Sequence, residues 1–198
     1  MTIKFNPSRL HRRAAPILCL PLLITSVTGL IYRIGKNRFG LSDEAGTWML
    51  RLHDGRVLSD RLAPLYVLLT GVGLVTLLVT GIRLFIQRSR RPRSAASPTG
   101  LSFRTLHKLL SPILFLPLLI SALTGIIYRV GKAWLGLEDK YVKVFLRIHE
   151  GSYLSPKLHL AYVSLIGIGL VALLVTGVPM LGLFGNARAA GPTAKNNE

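Results

Sequence analysis

Cysteine and acid are scarce in this chain. One cysteine, Cys19, in 198 residues excludes an intramolecular disulfide and any CxxC-type metal or redox site. Eight Asp and Glu stand against 25 Lys and Arg, giving a formal net charge of +17. No glycine-rich dinucleotide fingerprint follows a strand-like run, so a nicotinamide or flavin site within the chain has no support. A mean hydropathy of +0.47 excludes disorder. The charge by itself suggests a nucleic-acid binder, but such proteins spread basic residues over a soluble domain with an ordinary core. Here the apolar residues are gathered into long uncharged blocks, which mark a bilayer protein instead.

Four such blocks run over Ala14–Tyr32, Leu62–Ile82, Leu109–Tyr128 and Leu158–Phe184. At about 1.5 Å per residue each can cross a hydrocarbon core of roughly 30 Å as a helix. Pro16, Pro21, Pro112, Pro117 and Pro179 fall inside them and are tolerable in membrane helices. The first block follows Lys4, Arg9, Arg12 and Arg13, the basic start of a signal peptide, but no small-residue cleavage site follows it and its twin recurs mid-chain.

That twin appears when the chain is shifted by 96 residues. LHRRAAPILCLPLLITSVTGLIYRIGK from Leu10 then falls on LHKLLSPILFLPLLISALTGIIYRVGK from Leu106. The same shift, without a gap, lays Leu50-Arg51-Leu52-His53-Asp54-Gly55 on Leu146-Arg147-Ile148-His149-Glu150-Gly151, and GVGLVTLLVTG from Gly71 on GIGLVALLVTG from Gly167. Roughly half of the positions from Leu10 to Gly81 match their partners. Shared hydrophobicity does not produce that, and the expectation is an all-α membrane protein of four transmembrane helices made by tandem duplication of a two-helix unit.

An even number of spans returns the chain to its starting side. The copies are therefore expected as parallel repeats about an axis along the membrane normal. The organisation reads as a first repeat over 1–88, a basic Pro/Gly/Ser-rich linker over 89–102, a second repeat over 103–184 and a flexible tail over 185–198. Lys and Arg number 13 on the linker side and 12 on the loop side, so raw count scarcely orients the chain. The linker side is almost free of acids, whereas seven acids dilute the loop side, and this favours both termini inside.

Four of the five histidines form two repeat-related pairs, His11 with His107 and His53 with His149. Members of a pair share a face of the membrane, and two imidazoles converging on a common axis is what a bis-histidine haem iron requires. Arg12 and Lys108 flank one pair, and Arg51 and Arg147 precede the other by two residues, where they could meet haem propionates. Gly29, Gly125, Gly71, Gly73, Gly167 and Gly169 could give a porphyrin room between helices. Each feature also has a plainer reading. Membrane-border histidines are commonly interfacial polar groups, glycines let helices pack closely, and basic residues anchor topology at lipid phosphates. Yet both histidines persist in both copies while Cys19, Ala45, Trp48 and Ala63 differ from their partners. His159 has no partner and is a minor candidate for proton handling. Thr28, Thr80, Thr124 and Thr176 can bond their own helix backbones and need no further role.

The order Leu-His-Arg/Lys, Pro-Leu-Leu, Thr-Gly, Leu/Ile-His-x-Gly and Leu-Val-Thr-Gly, found twice from Leu10 to about Gly182, resembles the PepSY-associated transmembrane family. The resemblance implies a multi-pass protein of the bacterial inner membrane linked to iron uptake, some members looking like di-haem ferric-siderophore reductases. It maps the helix-opening histidine onto His11 and His107 and the His-x-Gly histidine onto His53 and His149, with two haem b groups as cofactors. Larger members carry PepSY domains in an outer loop. Both loops here span about 30 residues, too short for a domain with its own core, so this is a short form and its substrate surface is not explained.

The function expected is an electron carrier that passes electrons across the bilayer from a quinol or a partner reductase to an outer acceptor such as a ferric siderophore. A non-catalytic membrane subunit or assembly factor without haem is the first alternative, and a small transporter the second. Trp48, Tyr141, Phe145 and Tyr153 suggest that the loops contain short interfacial helices, although aromatic-belt anchoring explains them equally well. No nucleic acid is expected as a partner.

Overall fold

The computed structural model describes residues 6–90 and 102–181. The linker expected over 89–102 and the tail expected over 185–198 lie almost wholly outside them, as does the end of the fourth block. Among the described residues the chain is all helix and turn: α1 Pro7–Arg38, α2 Asp43–His53, α3 Ala63–Ser89, α4 Phe103–Ala133, α5 Asp139–Glu150 and α6 Pro156–Gly177. A short 3₁₀ turn, Val178–Leu181, follows α6 at Pro179, so the fourth span tightens where an unbroken α-helix was expected.

Local chemistry sets the helix starts. Asn6 accepts hydrogen bonds from the backbone of Ser8 and Arg9, and Pro7 takes the first helical position, where its missing N–H costs nothing. Ser42 and Ser102 cap α2 and α4 in the same manner. Gly151 closes α5 in the left-handed conformation, φ 72°, which an L side chain rarely adopts. Four helices are long and apolar enough to cross a membrane: α1, α3, α4, and α6 with its 3₁₀ extension. Ile17, Leu20, Leu69, Leu109 and Leu116 stand well exposed on their outer faces, where lipid tails are the natural solvent.

Around the bundle the order is α1, α3, α4, α6 and back to α1, so α1 and α4 occupy opposite corners. Leu78, Leu114, Leu118, Leu170 and Leu173 form the buried centre. Lipid and core are equally apolar, so helix association rests on close approach at small residues. A Cβ on Gly73 would stand 2.5 Å from Leu18, and one on Gly169 would stand 2.7 Å from Leu114, the same contact 96 residues on. Gly71 meets Ile126 and Gly167 meets Leu30, again equivalent positions, but here each contact joins one half of the chain to the other.

The loops contain the two expected short helices. α2 packs on α1 and α5 on α4, with Lys36–Asp43 and Lys132–Asp139 ion pairs at the two joints. Both short helices cap the same end of the bundle, because their last histidines touch. Tyr153 lies beyond α5, in the turn before α6.

Candidate functional site

At the capped end, a cavity of about 560 Å³ opens between the four long helices. That is in the range of a small-molecule or cofactor site. Its walls are mainly apolar, with Leu22, Leu74, Leu118 and Leu170 among them, and Gly29, Gly71, Gly125 and Gly167 lower the wall where helices face it. Gly73 and Gly169 are absent from the lining. For these two the plainer reading holds, since Leu18 and Leu114 occupy the space beside them.

His53 and His149, from the C-terminal ends of α2 and α5, stand at this cavity with ring centroids 6.2 Å apart and planes at 61°. Each is held in the same way. His53 Nδ1 is 2.8 Å from the carbonyl of Thr25, and His149 Nδ1 is 2.8 Å from the carbonyl of Ser121. A carbonyl can only accept, so both Nδ1 atoms carry the proton and both Nε2 atoms keep a bare lone pair. No hydrogen bond reaches either Nε2 among the described residues. The backbone can reach the imidazoles because Gly29 and Gly125 have no side chain: a Cβ there would stand 2.8 Å and 3.0 Å from the respective Nδ1 atoms. Burial lowers the pKa of both histidines below the usual value, and for His53 the neighbouring His149 adds to the effect, so both are neutral at pH 7.

The spacing of these two side chains is the one that a metal held between two imidazoles would need. Two imidazoles bound to one metal from opposite sides, with metal–nitrogen distances of about 2.0–2.1 Å, have ring centres about 6 Å apart. A metal-binding histidine ordinarily donates its other N–H to a carbonyl or carboxylate, as both do here. Among the described residues, no group of three His, Cys, Asp or Glu could hold a bare metal ion. A pair of imidazoles beside an apolar cavity therefore suits a metal that brings its own macrocycle.

At the other end of the bundle, His11 Nδ1 lies 2.9 Å from Thr80 Oγ1 and His107 Nδ1 lies 3.1 Å from Thr176 Oγ1. Each threonine gives its single proton to its own helix, Thr80 to the Thr76 carbonyl and Thr176 to the Ala172 carbonyl. The hydroxyls therefore accept from the imidazoles, leaving Nε2 bare in this pair too. Thr28 and Thr124 bond only their own helices, as expected, whereas Thr80 and Thr176 also orient a histidine. Among the described residues, His11 and His107 make no ring contact with each other. From His11 to Gly29, beside His53, is about 27 Å along α1, nearly the thickness of a hydrocarbon core.

The basic residues are placed differently from the sequence expectation. Arg51 and Arg147 are exposed and off the cavity, Arg51 lying over the Trp48 ring at 5.4 Å. On a helix, two residues earlier is almost the opposite face from the histidine. Arg12 and Lys108 are also exposed. The cations that do line the cavity are Arg33, Arg56, Arg129 and Lys132, which sequence reading passed over. A signal was present, since Tyr-Arg-x-Gly-Lys ends both α1 and α4 unchanged. Arg33 pairs with Glu150 at 3.1 Å, and Arg129 approaches Asp54 at 3.8 Å. Both contacts cross from one half of the chain to the other. His159 lies outside the cavity lining, its Nε2 buried without a partner.

No curated protein and no solved structure matches the chain. The family model of the PepSY-associated TM region matches residues 33–140, from the end of α1 through α3 and α4 to the start of α5. This is narrower than the stretch from Leu10 to about Gly182 on which the resemblance was read, and it includes His53 and His107 but neither of their partners. The match covers more than half of the chain, which therefore belongs to the PepSY-associated TM region family.

Proposed function

We propose that this chain is a membrane b-type cytochrome that holds one haem between His53 and His149 and a second between His11 and His107, and that it carries electrons across the bilayer. The observation that supports this most directly is the His53–His149 pair: 6.2 Å between ring centres, both Nδ1 protons committed to carbonyls, and both Nε2 lone pairs free at a cavity of porphyrin-like size. Haem b, when bound, supplies a one-electron couple. The protein's contribution is to orient four imidazoles, to surround the group with leucine and glycine rather than water, and to set the two pairs at opposite ends of helices that cross the membrane.

In this reading a quinol or a partner reductase is the donor at the end bearing the termini, and an acceptor such as a ferric siderophore lies at the end capped by α2 and α5. The membrane is the bacterial inner membrane, with the termini on the cytoplasmic side. The test is a spectrum of protein purified after expression with ample haem. A Soret band and a reduced-minus-oxidised α-band at about two haems per chain are expected. A colourless protein overturns the proposal.

A further inference from the structure

Arg129 carries a largely buried charge with no hydrogen-bond partner at its Nε. Its side chain is only 19% exposed, and its one carboxylate neighbour, Asp54, is 3.8 Å from Nη1. That distance is too long for a hydrogen bond. Asp54 is already engaged, accepting from Arg56 Nε at 3.0 and 2.7 Å and from the Arg56 backbone at 3.2 Å. A guanidinium has five donors and stays charged at any physiological pH, so an orphaned N–H on a buried one is costly. Arg33, at the equivalent position, differs: it pairs with Glu150 at 3.1 Å.

The cavity wall carries the same imbalance as a whole. Of the four lining cations, Arg33 pairs with Glu150, Arg56 with Asp54 and Lys132 with Asp139, which leaves one positive charge, that of Arg129, in excess beside a mainly apolar space. An uncompensated charge at such a site calls for an anion.

We infer that Arg129 is a carboxylate-docking residue of this cavity, taking a carboxylate of an amphipathic dianionic ligand on its terminal guanidinium nitrogens. This rests on the haem reading above and deepens it: the apolar body of the ligand lies among leucine and glycine, and its carboxylates turn toward Arg129 and the cations beside it. A guanidinium edge binds a carboxylate through two parallel hydrogen bonds, a geometry that a lysine cannot copy.

The test uses the full chain in detergent, prepared free of haem and titrated with iron protoporphyrin IX or with its dimethyl ester, which has the same ring and iron but no carboxylate. One charge-assisted hydrogen bond predicts that wild type prefers the free acid by roughly ten- to a hundredfold. Arg129→Gln should erase most of that preference while leaving ester affinity unchanged, and Arg51→Gln should keep it. Should Arg129→Gln fail to fold, Arg129→Lys carries the test, since it retains charge without the fork and should show an intermediate preference. Equal binding of acid and ester by wild type, or equal loss of both in the variant, overturns the carboxylate site. Binding of neither overturns the haem reading itself, a distinguishable result.

Discussion

Gly29 and His53 are matched to each other: the imidazole edge lies where a side chain on residue 29 would have to stand, with Nδ1 2.8 Å from that point. Gly125 and His149 repeat the contact at 3.0 Å. The glycines let the rings reach the carbonyls of Thr25 and Ser121, four residues earlier on α1 and α4, and those carbonyls decide which ring nitrogen is free.

Gly29→Ala should therefore displace the His53 ring while leaving the helices in place. Overpacking of this sort costs about 1–3 kcal/mol. The expected result is a lower thermal midpoint and a Soret band reduced or altered in shape, with the helical circular dichroism unchanged. An unaltered spectrum would show that the close approach does not position the ligand.

The two histidine pairs should separate by mutation. His53→Ala and His149→Ala should each remove the same haem, giving matching losses in absorbance and in the low-spin signal. His11→Ala and His107→Ala should affect the other. Additive losses, with the His53→Ala/His149→Ala double variant losing more haem than either single variant, would contradict shared ligation.

Acid should weaken both binding and stability. The folded pKa of His53 and His149 lies below the unfolded value of about 6.5, so the unfolded chain takes up protons first as pH falls. Their contribution is fully present above about 6.5 and is lost as pH drops from there toward the folded pKa. A neutral imidazole is also what a metal requires. Haem affinity and thermal midpoint measured from pH 8 downward should fall together in that window, and His53→Ala should flatten the dependence.

The exchanged ion pairs should couple the two halves. Arg33 and Glu150 are 20% and 35% exposed, so solvent screens them in part and a double-mutant cycle with Arg33→Gln and Glu150→Gln should give about 0.5–1 kcal/mol. A coupling indistinguishable from zero would reduce the pair to a surface contact.

Topology can be read with single cysteines in a Cys19→Ser background. A cysteine at Leu135, between α4 and α5, should react with an impermeant reagent from outside, and one at Ser102, before α4, only after the membrane is opened. The reverse pattern would invert the assignment of faces.

Much of this molecule is written in the linear sequence because its spacing requirements are local. Uncharged runs of about 20 residues specify membrane helices wherever they fall, since unpaired backbone groups cannot face lipid. The repeat at a shift of 96 residues marks paired positions and matches His11 with His107 and His53 with His149. With four helices long and apolar enough to cross a membrane, the +17 charge fits a membrane protein's surplus.

Tertiary structure decided which polar atoms share one cavity. Arg51 and Arg147 are near the histidines in sequence but turn away, because two residues on a helix are about 200° apart. Arg33 and Arg129 are 20 residues from His53 and His149 and still line the same cavity, because each short helix folds back on the end of the long helix before it. The free nitrogen of each ring, the role of Thr80 and Thr176, and the unsatisfied Arg129 depend on contacts between helices 28 to 75 residues apart in the chain. Composition and periodicity register what a residue is and how often it recurs. Which donor meets which acceptor across a bundle is fixed only when the helices pack.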